Sequence, residues 1–284
     1  MHSSKICLIT GATSGIGKAA SIELAKLGYD LILIGRNEEK GFKIAEKISG
    51  TNNVKAEFFA CDISSLNEVK KVAEAIKLKY KKIDVLINNT GSRFDTYQKS
   101  ADGIELTFAT NHLGHFLLTY LLFDNLRKSE SARIINVSSS AHSGKKIEIE
   151  NLVDPKFYNK SNVYGSSKLV NILFTYELSR RLNELKITVN ALNPGGVASN
   201  FAKNNGFFPW LKHVAYHLIK RELITPKQGC QTIIYLASSP EVEGVTGKYF
   251  YLNKEIKSSS ESYNEETAKK LWKLSEDLSG IKFL

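Results

Sequence analysis

Tyr164 and Lys168 stand four residues apart in a segment of helical period, so their side chains share one face. A phenol and an ammonium placed in this way form an acid–base pair. By itself a phenol, with a pKa of about 10, is a poor base at neutral pH. An ammonium ~5 Å away at an effective dielectric of ~20 contributes roughly 3 kcal/mol, which would lower that pKa by about 2. Spacing does not single out this pair, because Tyr216 and Lys220 repeat it. Context favours the first. The run Ile134–Ser138 reads as a buried strand that ends in Val137-Ser138-Ser139, and the segment bearing Tyr164 follows it. A Ser139 hydroxyl at a strand's carboxyl end can donate to a substrate oxygen on which negative charge develops. Asn111 falls inside the helical pattern 103–126, where asparagine is a mediocre helix former and calls for another reason.

A second set of residues suits a phosphate-bearing ligand. The first strand pattern ends in Thr10-Gly11-Ala12-Thr13-Ser14-Gly15-Ile16-Gly17, and helical period follows at once. Glycines there permit a tight turn and a close approach to a pyrophosphate, held by the free N–H groups and dipole of the helix start. The spacing G-x-x-x-G-x-G is not the commoner G-x-G-x-x-G, so its place between first strand and first helix carries the dinucleotide reading. In a NAD site an acid about 20 residues on binds the adenine ribose. Here the second strand ends at Gly35 and Arg36, and a guanidinium with no carboxylate beside it suits the 2′-phosphate of NADP(H) in preference to NAD(H). Asp62 and Ile63 follow the third strand and are placed to touch adenine; Asp62 could equally cap the helix starting near Ser65. Asn89 and Gly91, in the run Asn88-Asn89-Thr90-Gly91, close the fourth strand, and the turn Pro194, Gly195, Gly196, Val197 after the sixth is placed to abut the nicotinamide.

The elements that position these residues alternate. Apolar runs at Ile6–Thr10, Asp30–Gly35, Ala56–Cys61, Val85–Asn89, Ile134–Ser138, Ile187–Leu192 and Lys248–Leu252 read as strands. Most are apolar on both sides, as central strands covered by helices must be. Between them, 18–27, 37–48, 66–80, 103–126, 163–183 and 226–237 place apolar residues three and four apart. This alternation predicts an α/β, Rossmann-type, doubly wound parallel sheet of about seven strands with helices on both faces and ligands at the strands' carboxyl ends. The chain is read as one domain, 1–284. The stretch 197–223 breaks the rhythm and carries Phe201, Phe207, Phe208, Trp210 and Tyr216, which suits a lid over the strand ends. The segment 265–278 reads as a helix docking on the core through Leu271, Trp272, Leu274 and Leu278.

Composition narrows the partners. The net charge of +10 comes largely from lysines spread along helices such as residues 68–82, with acids among them. Solvated helix faces, and not a nucleic-acid site, are therefore expected. No window approaches the roughly 18–20 uninterrupted apolar residues of a membrane span, and the chain passes at once into its first strand, leaving no room for a signal peptide. The three cysteines Cys7, Cys61 and Cys230 are scattered, so a reducing, cytoplasmic setting is expected, with peripheral membrane contact and homo-oligomerisation left open. His112 with His115 and His213 with His217 have helical spacings, but no carboxylate or cysteine completes a metal set.

TGATSGIG, NNTG, Asn111, Ser139, Tyr164 with Lys168, and Pro194-Gly195, in this order over about residues 5–252, resemble the short-chain dehydrogenase/reductase family. TNHLGHFLLT, NVSSSAH, YGSSKLVNILFTYELSRRL, GKYF and the long interval from Ser139 to Tyr164 resemble its retinol dehydrogenase-like and WW-domain oxidoreductase-like branch. The resemblance implies that Tyr164 exchanges a proton with the substrate oxygen. It likewise implies that Lys168 lowers the Tyr164 pKa and holds the nicotinamide ribose, that Ser139 polarises the substrate oxygen, and that Asn111 anchors a water linking Lys168 to solvent. Thr90 stands where the family motif has alanine, and Ser199 where it often has threonine. The expected activity is NADP(H)-dependent hydride transfer between nicotinamide and a carbonyl or alcohol, with an apolar small molecule such as a retinal-like aldehyde or a steroid as substrate. A non-catalytic dinucleotide-binding regulator and a carbon–carbon double-bond reductase on the same scaffold are the alternatives.

Overall fold

The computed structural model describes residues 4–197 and 223–284. Seven parallel strands lie in the order β3-β2-β1-β4-β5-β6-β9, where β1 is Ile6–Thr10, β2 Asp30–Gly35, β3 Ala56–Ala60, β4 Val85–Asn88, β5 Ala132–Val137, β6 Ile187–Asn193 and β9 Lys248–Tyr251. A short parallel pair, β7 (Gly196–Val197) with β8 (Leu223–Ile224), lies apart from them. The strand order reverses between β1 and β4, and such a switch point opens a crevice at the carboxyl ends.

The sheet has eight strands and not the seven expected. The eighth, β10 (Lys254–Ile256), pairs antiparallel with β9 through a turn whose two residues, Leu252 and Asn253, both have positive φ, 49° and 62°. Positive φ at both turn positions suits the twist of a two-residue hairpin, usually signalled by Asn-Gly. Leu-Asn hides that signal, and every residue of β10 is exposed, so no apolar alternation marks it.

Helices cover both faces. On one, α1 (Gly15–Lys26), α2 (Glu38–Asn52) and α9 (Gln231–Ser238) bury Leu24, Ile48 and Ile233 against Ile9, Leu33 and Ile87 of the strands. On the other lie α3 (Leu66–Lys79), α5 (Gly114–Leu121) and α7 (Val163–Arg181), with the C-terminal α10 (Glu265–Ser279). As expected, α10 docks on the core: Trp272 lies 5.2 Å from the rings of Phe116 and Phe283, and the Arg181 guanidinium lies 4.1 Å from its ring. Three further helices are short: α4 (Leu106–Phe108), α6 (Phe123–Arg127) and α8 (Pro226–Gly229).

The expected continuous helix over 103–126 is instead α4, a π-helical turn at Ala109–Leu113, α5 and α6, and the π turn carries Asn111. It also carries His112, whose Nε2 meets Ser275 Oγ at 2.8 Å, while His115 Nε2 meets Thr10 Oγ1 at 2.9 Å. Burial holds both imidazoles at a pKa of about 3, so each is neutral and structural. Among the described residues no group of three or more His, Cys, Asp or Glu could hold a metal. His213, His217 and the Tyr216–Lys220 pair lie outside the described residues, as does the predicted lid except for Val197 and Leu223.

Candidate active site

A cavity of about 540 Å³ opens at the carboxyl ends of β1 to β5. The glycine loop forms one wall through Gly11, Thr13, Ser14, Gly15, Ile16 and Gly17. Its shape depends on close approach. A Cβ on Gly17 would lie 2.5 Å from Asn89 Nδ2 and would overlap the Gly11 carbonyl oxygen, so any side chain there displaces the loop. Asn89 Nδ2 in turn donates to the Thr10 carbonyl at 2.8 Å. The Thr10 hydroxyl is a hub that sequence reasoning missed. It accepts the backbone N–H groups of Asn89 and Thr90 at 2.9 and 3.0 Å, which moulds the turn after β4. His115 Nδ1 sits 3.3 Å from the Asn111 carbonyl, which can only accept, so Nε2 is left to accept the Thr10 proton.

These surfaces fit a dinucleotide. Ser14, at the start of α1, makes no side-chain cap, and the first turn of α1 holds no acid, so its N–H groups are open to an anion. Arg36 is exposed at the end of β2 and lines the same cavity, beside Gly35 and Asn37. Asp62 and Ile63 line it as well. Asp62 does not cap the following helix: its Oδ1 accepts from the backbone N–H and the hydroxyl of Ser64, while Ser65 caps α3. Asn89, Gly91 and Pro194 complete the predicted wall, whereas Gly195 and Val197 lie in the turn and strand beyond it. Thr90, Ser92, Thr110, Cys61, Val137 and Ser138 also line it; of these only Thr90, Val137 and Ser138 belong to a motif legible in the sequence.

Tyr164 and Lys168 project from the first two turns of α7 into this cavity. Lys168 Nζ donates to the Val137 carbonyl at 3.0 Å and lies 5.6 Å from the centre of the Tyr164 ring. Burial lowers its pKa to about 8. Burial pushes the Tyr164 hydroxyl up to about 12, against a hydrogen bond with Ser139 and the positive charge of Arg93, which both act to lower it. The lowering expected from Lys168 is therefore not what governs this phenol, because the ammonium faces the ring and a carbonyl. Arg93, which also pairs with Asp95 at 2.9 Å, had no sequence signal.

Asn111 stands behind the wall at Gly91, and Ser139 stands beside Tyr164. Asn111 is fully buried and fully used: Oδ1 accepts from Ser92 N at 2.8 Å, and Nδ2 donates to Ser92 O at 2.9 Å and to Ser167 Oγ at 2.8 Å. It thus ties the loop after β4 to α7. Ser139 Oγ accepts from Ala141 N at 3.2 Å and is hydrogen-bonded to the Tyr164 hydroxyl. Ser138 Oγ donates to the Lys168 carbonyl at 2.7 Å and holds α7 against β5.

A family model described as short chain dehydrogenase matches residues 5–207. The chain belongs to the short-chain dehydrogenase family. Among its curated relatives, retinol dehydrogenase 14 of Mus musculus is 40% identical over 99% of this chain and 87% of the relative. Human polyprenol dehydrogenase is 37% identical over 98% of this chain and 86% of the relative. This short-chain dehydrogenase is thus retinol dehydrogenase-like. A crystal structure of a protein from Mycobacterium paratuberculosis superposes with a TM-score of 0.79 at 29% identity, covering 99% of this chain and 96% of that one. An L-sorbose reductase of Gluconobacter frateurii, solved with NADPH and L-sorbose, shares the fold with a TM-score of 0.69 at 19% identity, covering 88% and 95%. As a member of the family the chain is an oxidoreductase that binds a nicotinamide dinucleotide. No described helix is long and apolar enough to cross a membrane.

Proposed function

We propose that this chain is a single-domain, NADP(H)-dependent carbonyl reductase or alcohol dehydrogenase acting on a lipophilic substrate in the cytoplasm, with peripheral membrane contact left open. The observation that carries the reading is the convergence of Lys168 and of Tyr164, hydrogen-bonded to Ser139, on a cavity whose other wall is the glycine loop. When bound, the nicotinamide supplies or accepts hydride. The chain's own groups manage position and protons. With a pKa of about 12, Tyr164 keeps its proton at neutral pH and can hand it to a carbonyl oxygen. Ser139 donates to the same oxygen and stabilises its developing charge. Lys168 holds the nicotinamide ribose, and Asn111, committed to Ser92 and Ser167, fixes the loop after β4 against α7.

The preference for NADP(H) rests on Arg36 beside Gly35 and Asn37, where no carboxylate competes for a 2′-phosphate. Replacing Arg36 by Ala should weaken NADPH binding by about 1.5–3 kcal/mol and leave NADH nearly unchanged. Arg36 is exposed, so the lower end of that range is expected. Titration of both cofactors against both proteins measures this, and equal losses would remove the assignment.

Relatives named for retinol and polyprenol, both apolar alcohols, support a lipophilic substrate. A straight-chain aldehyde series with NADPH tests the whole reading. Each added methylene that is buried contributes up to ~0.8 kcal/mol, so kcat/KM should rise by as much as about fourfold per carbon until the site is full. A flat profile would move the substrate to a small polar carbonyl, and an absence of any nicotinamide oxidation across the series would favour the non-catalytic regulator.

A further inference from the structure

His142 lies three residues after Ser139, is 3% exposed, and has no role in the reading above. Its ring bridges two segments far apart in sequence. Nε2 lies 3.1 Å from the backbone N of Ser259, and Nδ1 lies 2.7 Å from the Ser139 carbonyl oxygen. A backbone N–H can only donate and a carbonyl can only accept, so Nε2 is the acceptor and the proton sits on Nδ1. Both partners demand the same tautomer. The Ser139 carbonyl also takes the His142 backbone N–H at 3.2 Å, which closes the turn Ser140–His142. Tyr249 flanks the ring edge-to-face at 5.1 Å, with its hydroxyl at the outer limit of contact, 3.5 Å from Nδ1. Burial lowers the His142 pKa and so favours the neutral ring that this bridge needs.

The segment that holds Nε2 is delivered by the strand the sequence did not reveal. After β10 the chain returns over α7, where Ser258 Oγ meets Tyr176 Oη at 2.7 Å and Tyr263 stacks on Tyr176 at 5.2 Å. Tyr176 sits on α7 about three turns beyond Tyr164. One strap, 258–263, therefore grips the helix that carries Tyr164 and, through His142, the turn that carries Ser139.

We propose that His142 is a positioning residue that sets the Ser139 hydroxyl against Tyr164 by clamping the Ser139 carbonyl to this strap. The proposal rests on Ser139 acting on the substrate oxygen, and the test separates the two. Single-turnover hydride transfer from NADPH to the best aldehyde of the series is measured for the full chain, alongside NADPH affinity and Tm. The variants are His142→Gln, His142→Asn, Ser259→Pro, Ser139→Ala, and the double variant of His142→Gln with Ser139→Ala. Gln keeps an amide near Nε2 but loses the donor at Nδ1, whereas Asn keeps an N–H near Nδ1. Ser259 has φ of −66°, which proline accepts; Ser259→Pro removes the N–H that Nε2 accepts and sets the ring Cδ in its place, so it breaks this bond without replacing His142.

His142→Gln, which drops the Ser139 end of the bridge, and His142→Asn and Ser259→Pro, which drop the Ser259 end, should each slow the transfer step about tenfold with NADPH affinity unchanged. In the Ser139→Ala background His142→Gln should cost less than about twofold, because residues acting through one group are not additive. Additive losses, or a full rate in His142→Asn, would overturn the proposal. So would a full rate in Ser259→Pro. If Ser139→Ala alone leaves the rate intact, the role of Ser139 fails first and the proposal falls with it.

Discussion

Tyr164→Phe is expected to lower single-turnover hydride transfer at least about 10³-fold while NADPH affinity stays within about twofold. General acid catalysis by a positioned group contributes about 10²–10⁴ in rate, and this variant removes only the transferable proton. The ring remains to pack beside Lys168, whose ammonium lies 5.6 Å from its centre and is held independently by the Val137 carbonyl. The glycine loop and Arg36, the proposed holders of the phosphates, are untouched. Stopped-flow loss of nicotinamide absorbance gives the rate, and a fluorescence titration gives the affinity. Tyr216→Phe serves as the control, since Tyr216–Lys220 has the same spacing. A rate lost in the control and kept in Tyr164→Phe would reverse the assignment.

Gly114→Ala should destabilise the chain by more than about 3 kcal/mol, or prevent folding, although alanine is the better helix former by about 1 kcal/mol. Gly114 begins α5, and a Cβ there would overlap the carbonyl oxygen of Ile63 and come within 2.9 Å of its carbon. Backbone cannot swing aside as a side chain can, so α5 or the segment after β3 must move. Ile63 lines the cofactor cavity, and the π turn bearing Asn111 ends one residue before Gly114. The damage should therefore reach the site as well as the core. Gly50→Ala is the matched control. Gly50 is also helical, in α2, but is exposed, and its Cβ would meet nothing within 4 Å. That change should be neutral or stabilise by up to about 1 kcal/mol. Urea unfolding of both variants reads the difference, and a Gly114→Ala chain as stable as the parent would refute the contact.

Whatever depends on near neighbours was legible along the chain. Strands β1 and β2 match their apolar runs residue for residue, because a strand buried on both faces must be apolar throughout. The glycine loop and the Tyr164–Lys168 spacing were legible for the same reason: a turn and a helical face are set within a few residues. The order of these motifs along the chain was enough to indicate a doubly wound sheet with a site at its carboxyl edge. The rest depends on contacts between distant segments. The protonation of Tyr164 turns on how much water the fold removes from it, and that desolvation outweighs the effect the spacing suggested. Asn111 looked like a weak helix residue and is instead a buried tie between Ser92 and Ser167, 19 residues before it and 56 after it. Thr10 meets Thr90 across 80 residues, and His142 meets Ser259 across 117. Such pairs leave no periodicity in the sequence, since each partner is a common polar residue whose meaning comes from the atom that folding brings opposite it.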